Sequence, residues 1–218
     1  MDIKYLGHAS FRLKGKNAVV VTDPFDKASV GFGFPKVTAD IVTVSHEHGD
    51  HNAVGEVIPQ TESTVPLIIR GAGEYESKGV KVYGSQTYHD AEQGAKRGTN
   101  TIYQIIIDGV SILHCGDLGH LLSDKLLDTI DQVHVLLIPV GGVYTINEKE
   151  ALKVIRQLEP ALVIPMHYKA PGMISAFDQL APLEAFLKEI GKNPAPIAKL
   201  SIACDKLPSE LEVVVLER

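Results

Sequence analysis

Four strand-like runs in this chain end on a ligand-type residue, and that recurrence restricts the fold more than any other feature. Val19-Val20-Val21 leads into Thr22-Asp23-Pro24, and Ile41-Val42-Thr43-Val44 into Ser45-His46. Ile112-Leu113 leads into His114-Cys115-Gly116-Asp117, and Leu162-Val163-Ile164 into Pro165-Met166-His167. Short β-branched runs bounded by turn residues read as strands. The pattern predicts them at 3–6, 10–13, 18–22, 41–45, 67–70, 80–84, 102–107, 111–114, 133–139, 162–165 and 211–216. Helices are expected over 124–130, from an Asn147 cap with Glu150 three residues on to Glu159-Pro160, and over 177–190 with Pro182 kinking or restarting it. Strands early and strand-helix alternation later imply a mixed α/β layered fold. No long linker or charge block divides the chain, so one domain over 1–218 is expected.

Polar side chains carried on the ends of buried strands are a usual way to mount chemistry on a rigid scaffold. The densest group is His46-Glu47-His48-Gly49-Asp50-His51, three imidazoles and a carboxylate within six residues. Imidazole and carboxylate suit zinc, manganese or iron. His89, Asp117 and His167 each close a strand-like run. Taken with the six-residue group, they complete a donor set large enough for two ions.

These residues also carry a resemblance. The His46 to His51 run resembles the defining motif of the metallo-β-lactamase superfamily, and His89, Asp117 and His167 follow in that family's order. Leu6-Gly7-His8-Ala9-Ser10-Phe11, Gly73-Glu74-Tyr75 and Pro139-Val140-Gly141-Gly142-Val143-Tyr144 resemble a small prokaryotic branch related to the lactonase that opens phosphorylated ascorbate. The resemblance covers roughly residues 3 to 170. It implies an αββα four-layer sandwich with His46, His48 and His89 on one metal. Asp50, His51 and His167 would hold the other, and Asp117 would bridge the two. It implies a hydrolase in which two divalent ions lower the pKa of a shared water, with Asp50 also moving protons.

Around that set, Asp23 is placed to orient a ligating imidazole. His8 and Tyr168 are candidates for supporting the site or touching substrate, as is Lys169. The Gly141-Gly142 loop ahead of the Asn147 helix is a possible anion seat. His114, His120 and His134 read as packing residues, and Glu47 and Glu74 as solvated or structural ones.

The expected substrate is a small ester, lactone or phosphodiester. Two other chemistries compete. A nuclease is disfavoured by the net charge of −6 and by the lack of room for an inserted nucleic-acid domain. Iron-dependent redox chemistry on this fold commonly places a carboxylate where His48 stands, so zinc is favoured and manganese or iron are the alternatives. Two widely spaced cysteines and the start Met1-Asp2-Ile3-Lys4-Tyr5, which lacks a basic and apolar leader, lead to an expectation of the cytoplasm. No apolar run is long enough to span a bilayer.

Overall fold

The computed structural model describes residues 1–61 and 63–218. Its first half lays down β1 (Asp2–Gly7), β2 (Ser10–Lys14), β3 (Val19–Thr22), the single turn α1 (Lys27–Val30), β4 (Val37–Ala39), β5 (Ile41–Val44), β6 (Val57–Pro59) and β7 (Leu67–Arg70). The second half adds β8 (Gly73–Ser77), β9 (Val80–Tyr88), β10 (Thr99–Ile107), β11 (Val110–His114), α2 (Asp124–Leu127) and β12 (Val135–Pro139). It closes with α3 (Glu148–Leu158), β13 (Leu162–Met166), α4 (Leu183–Ile190), β14 (Leu200–Ser201) and β15 (Glu212–Val213).

One sheet has the order β14-β1-β2-β3-β5-β7, and the other β15-β13-β12-β11-β10-β9-β8. Both are mixed. Along β3 and β5, Val20 and Ile41 face the core between the sheets, while Val19, Val21, Val42 and Val44 face outward into a second apolar cluster. Burial on both faces explains why these strands read as unbroken apolar runs rather than alternating ones. The outward cluster is covered by Phe34, Val54 and the two-stranded β4-β6 ribbon. Over the other sheet lie α3 and α4, which bury Ala151, Val154 and Ile155, and Phe186 and Leu187. The result is the αββα sandwich, with one helical layer reduced to short pieces.

Strand direction places the site. Within the first sheet β1 and β3 both run antiparallel to β2, and β5 runs parallel to β3. Within the second, β9 and β11 both run antiparallel to β10, and β13 runs parallel to β11 through β12. The carboxyl ends of β1, β3 and β5 therefore share one edge of their sheet, and those of β9, β11 and β13 share one edge of theirs. Polar bonds lace the sheets together at this end. Tyr103 Oη donates to the Val44 carbonyl (2.8 Å), and the Thr101 amide to that of Ser45 (2.9 Å). His114 Nε2 bonds the Ala9 carbonyl (2.8 Å), and the His167 amide donates to that of His8 (2.9 Å). At the opposite end two ties are exposed, Lys16 N to Asp108 (2.9 Å) and Lys78 to Asp40, beside the N-terminal ammonium 3.9 Å from Asp108.

Several elements depart from the sequence reading. The expected helix over 177–190 is a 3-10 turn at Ser175–Phe177 followed by α4. Pro182 takes extended backbone (φ −74°, ψ 162°) as the residue before α4, because it has no N–H to continue a helix from the preceding turn. Helix 124–130 contracts to the four residues of α2. β9 and β10 run longer than expected, since their ends pair with each other despite polar sequences such as Thr99-Asn100. The strand expected at 211–216 keeps only Glu212–Val213 in a ladder with β13. Among the described residues, no helix is long and apolar enough to cross a membrane.

Candidate metal centre

Six of the strands deliver polar side chains to one place: His8 follows β1, Asp23 follows β3, and Ser45 and His46 follow β5. His89 follows β9, Asp117 lies just past β11, and His167 follows β13. Donor atoms of His46, His48 and His89 lie within 4.8 Å of one another, as do those of His8, Asp50, His51 and His167. Asp117 sits between the two groups. Its Oδ2 is 3.1 Å from His89 Nε2, 3.2 Å from His167 Nε2 and 3.9 Å from His46 Nε2, and its Oδ1 is 3.3 Å from His51 Nε2. The seven residues singled out by the sequence are thus brought together, and His8 joins them.

Buried polar groups nearly always find a hydrogen-bond partner. Here the buried Nε2 atoms of His46 and His51, Oδ1 of Asp117 and both ring nitrogens of His167 have none. Several unpartnered donors aimed at a common space are what a bound cation would satisfy. Although burial opposes it, the carboxylates draw positive charge into this space, raising the pKa of His51 and His89. Burial opposes charge on His51, yet the Asp117 and Asp50 carboxylates hold its pKa well above the ordinary value. Burial pushes His46 down to about 3 and His8 down to about 4. A neutral imidazole is the form that ligates a metal. The donor set fits divalent ions.

The orientation of the rings has a visible cause. Asp23, fully buried, accepts from His51 Nδ1 (2.8 Å), from the Ser45 amide (2.8 Å) and from Ser45 Oγ (2.5 Å). Ser45 Oγ spends its one proton on Asp23 and so accepts from His46 Nδ1 (2.9 Å). One carboxylate thereby turns both Nε2 atoms toward the centre. His89 Nδ1 donates to the Tyr144 carbonyl (3.0 Å). The Asp117 amide donates to Oδ1 of the buried Asn100 (2.9 Å), whose Nδ2 donates to Thr87 Oγ1 and the Cys115 carbonyl. Asp50 Oδ2 is bonded to His8 Nε2 (2.9 Å).

Three of these residues adopt left-handed backbone: His8 (φ 55°), Asp23 (φ 41°) and His167 (φ 53°). Such conformations are costly for residues other than glycine and persist where surrounding structure imposes them. Gly141 makes one of them possible, because a Cβ there would run into the His167 carbonyl.

Other expectations land elsewhere. Tyr168 does not line the cavity formed by His48, Asp50, His89 and His167; it packs beside Tyr5 (ring centroids 6.3 Å apart) over a separate hollow. The chain turns left-handed at His167, which sends the next side chain away from the centre. Lys169 pairs with Asp178. In the Gly141-Gly142 loop the amides of Gly142, Tyr144 and Thr145 bond within the loop, that of Ile146 goes to Leu118, and Asn147 Oδ1 takes those of Lys149 and Glu150. His114 bonds the Ala9 carbonyl, His120 accepts from the Tyr88 amide, and His134 accepts from that of Ser111. Glu47 pairs with Arg70, and Glu74 is exposed. Sequence reading missed Ser45, Asn100 and the Tyr144 carbonyl, none of which belongs to a recognisable pattern.

The family model of the β-lactamase superfamily domain matches residues 2–167, and the chain belongs to that superfamily. Within it the chain belongs with the UPF0173 metal-dependent hydrolases. It is 30% identical over 203 residues to one from Carboxydothermus hydrogenoformans, covering 81% of this chain and 88% of that one. It is 32% identical over 195 residues to another from Thermococcus kodakarensis, covering 77% and 84%. A Thermotoga maritima structure, proposed as a Zn-dependent hydrolase of the metallo-β-lactamase superfamily, superposes with a TM-score of 0.80 and 36% identity. That match covers 99% of this chain and 97% of the other.

Proposed function

We propose that this metal-dependent hydrolase binds two divalent ions and cleaves a small ester, lactone or phosphodiester. The observation that carries the reading is the set of buried, unpartnered nitrogen and oxygen atoms gathered around Asp117. His46, His48 and His89 would hold one ion, and Asp50, His51 and His167 the other, with Asp117 between them. Bound there, the ions supply an acidified water and a Lewis acid for the substrate's oxygen.

The chain's own residues do the rest. Asp23 fixes His51 directly and His46 through Ser45, so both rings hold one tautomer. Asp50 lines the cavity with its carboxylate held by His8, a position from which it takes a proton from the attacking water and passes it to the leaving group. Tyr144 and Phe177 wall the cavity, whose volume of about 370 Å³ suits a small substrate. The imidazole-rich donor set favours zinc over manganese or iron. Two free cysteines, Cys115 buried and Cys204 exposed, fit a cytoplasmic setting.

Elemental analysis of protein purified without added metal tests the centre, with two equivalents expected and zinc predominant. A screen of lactones, phosphodiesters and carboxylic esters tests the reaction, and Asp50→Ala should abolish any turnover found. Stoichiometric iron with little zinc would replace hydrolysis with redox chemistry. Undiminished turnover in Asp50→Ala would remove its role in proton transfer.

A further inference from the structure

Among the described residues, the metal cavity carries one cation without a carboxylate partner. It is lined by Lys96 and Arg97 as well as by the donors. Lys96 is exposed and paired with Glu92, four residues earlier. Arg97 is half-buried and, among the described residues, has no carboxylate partner. Its guanidinium lies over the Tyr144 ring, 5.4 Å from the centroid. Tyr144 is itself fastened at two points, its carbonyl to His89 Nδ1 and its hydroxyl to the Ala176 carbonyl (2.7 Å). A guanidinium held over a fixed ring by cation–π attraction keeps its planar fork free for an oxyanion.

The backbone beneath Arg97 is equally fixed. Asp90 accepts from the amides of Glu92 (2.8 Å), Gly94 (2.9 Å), Lys96 (2.9 Å) and Arg97 (2.8 Å). The Gly98 amide closes the same turn on the Gly94 carbonyl (2.9 Å), and the Gly98 carbonyl takes the amide of His89. The loop that holds Arg97 is therefore bonded directly to a donor of the centre. Arg97 and His48 also line a second cavity, of about 460 Å³, on whose wall Arg70 is tied to Glu47. With two divalent ions in place, Asp50 and Asp117 offset only half of the added charge, so the cavity attracts anions although the chain as a whole carries −6.

The geometry points to Arg97 as the group that seats a carboxylate or phosphate of the substrate beside the metal centre. The assignment rests on the hydrolase reading above and narrows it to substrates bearing an anionic group apart from the bond that is cleaved. A planar fork engages such a group through two parallel N–H···O bonds, a geometry lysine does not reproduce.

Two measurements on metal-loaded protein test it: calorimetric binding of inorganic phosphate, and kcat/KM for 4-nitrophenyl hemisuccinate relative to 4-nitrophenyl acetate. Arg97→Gln should weaken phosphate binding about tenfold, or lower the ester ratio by about as much, the scale of one lost charge-assisted hydrogen bond. Loss of phosphate binding alone assigns phosphate, and loss of the ester ratio alone assigns carboxylate. Arg97→Lys should recover only part of either. Arg70→Gln, which removes a cation already paired with Glu47, should change neither. Unaltered values in both measurements for Arg97→Gln overturn the assignment, as does an equal loss in Arg70→Gln. If neither ester is cleaved, the hydrolase reading suffers, and calorimetric binding of succinate beside that of phosphate then decides the role of Arg97, no change in either for Arg97→Gln overturning it.

Discussion

The two sides of the metal centre are held in place by different means. On the β3-β5 side, hydrogen bonds run from Asp23 to His51 and through Ser45 to His46, so each ring's Nδ1 is accounted for. On the β1-β13 side, His8 and His167 sit on left-handed backbone with their rings 4.2 Å apart, and neither Nδ1 has a partner. One side is aimed by a relay of polar contacts. The other is aimed mainly by packing and by backbone that the fold compels, with one polar contact, His8 Nε2 to Asp50. A relay should fail stepwise as its members are removed, whereas a compelled backbone should fail abruptly when the space that permits it is filled.

The largest effect is expected where the sides meet. Among the described residues Asp117 is the only carboxylate within 4 Å of His46, His51, His89 and His167 alike, so Asp117→Ala should reduce bound metal on both sides, read as equivalents after dialysis. Next comes Asp23→Asn, which disturbs two imidazoles at once. Loss of such an orienting partner typically lowers metal affinity about 10- to 100-fold. Ser45→Ala, affecting His46 alone, should fall at the lower end of that range in a competition titration with a chromogenic chelator. Equal losses in the two variants would show that the relay through Ser45 carries the whole effect.

The opposite side is probed by Gly141→Ala. Crowding of this kind costs about 1–3 kcal/mol, so Tm should fall by several degrees with metal lost from the His167 side. An unchanged Tm would show that His167 does not depend on that close approach.

The smallest expected effect concerns Asp90, which holds the Arg97 loop. Its four backbone donors lower its carboxyl pKa to about 2 from the ordinary 3.8, against the pull of burial. A depressed folded-state value gives stability that is present above the ordinary carboxyl range and is lost as pH falls from there toward 2. The stability difference between the wild type and Asp90→Ala should therefore shrink across that interval in urea unfolding. A difference that does not vary with pH would mean that the carboxylate's charge contributes nothing.

Most donors were legible in the sequence because buried strands have a strong local signature and each stops on a His or Asp. His46 was readable from the six-residue group itself, whereas His89, Asp117 and His167 gained meaning only beside it. What supports the donors was not legible. Ser45, Asn100 and the Tyr144 carbonyl act through partners up to 55 residues away in sequence, and no local pattern marks a serine as a relay. Arg97 has the same character: the ring it lies over, Tyr144, belongs to a different loop. Tyr168 misled because adjacency to His167 was read as proximity to the centre. The short ribbon β4-β6 escaped notice because three-residue strands carry too little periodicity to register.

The unequal lacing of the sandwich has a mechanical consequence. Buried ring and backbone bonds clamp the rim that bears the donors, whereas the distant rim is closed in part by contacts open to solvent. Raised salt weakens only the latter kind. Partial opening should then work like a book hinged along the edge that bears the donors, with the pages parting at the far side while the donor side chains keep their spacing.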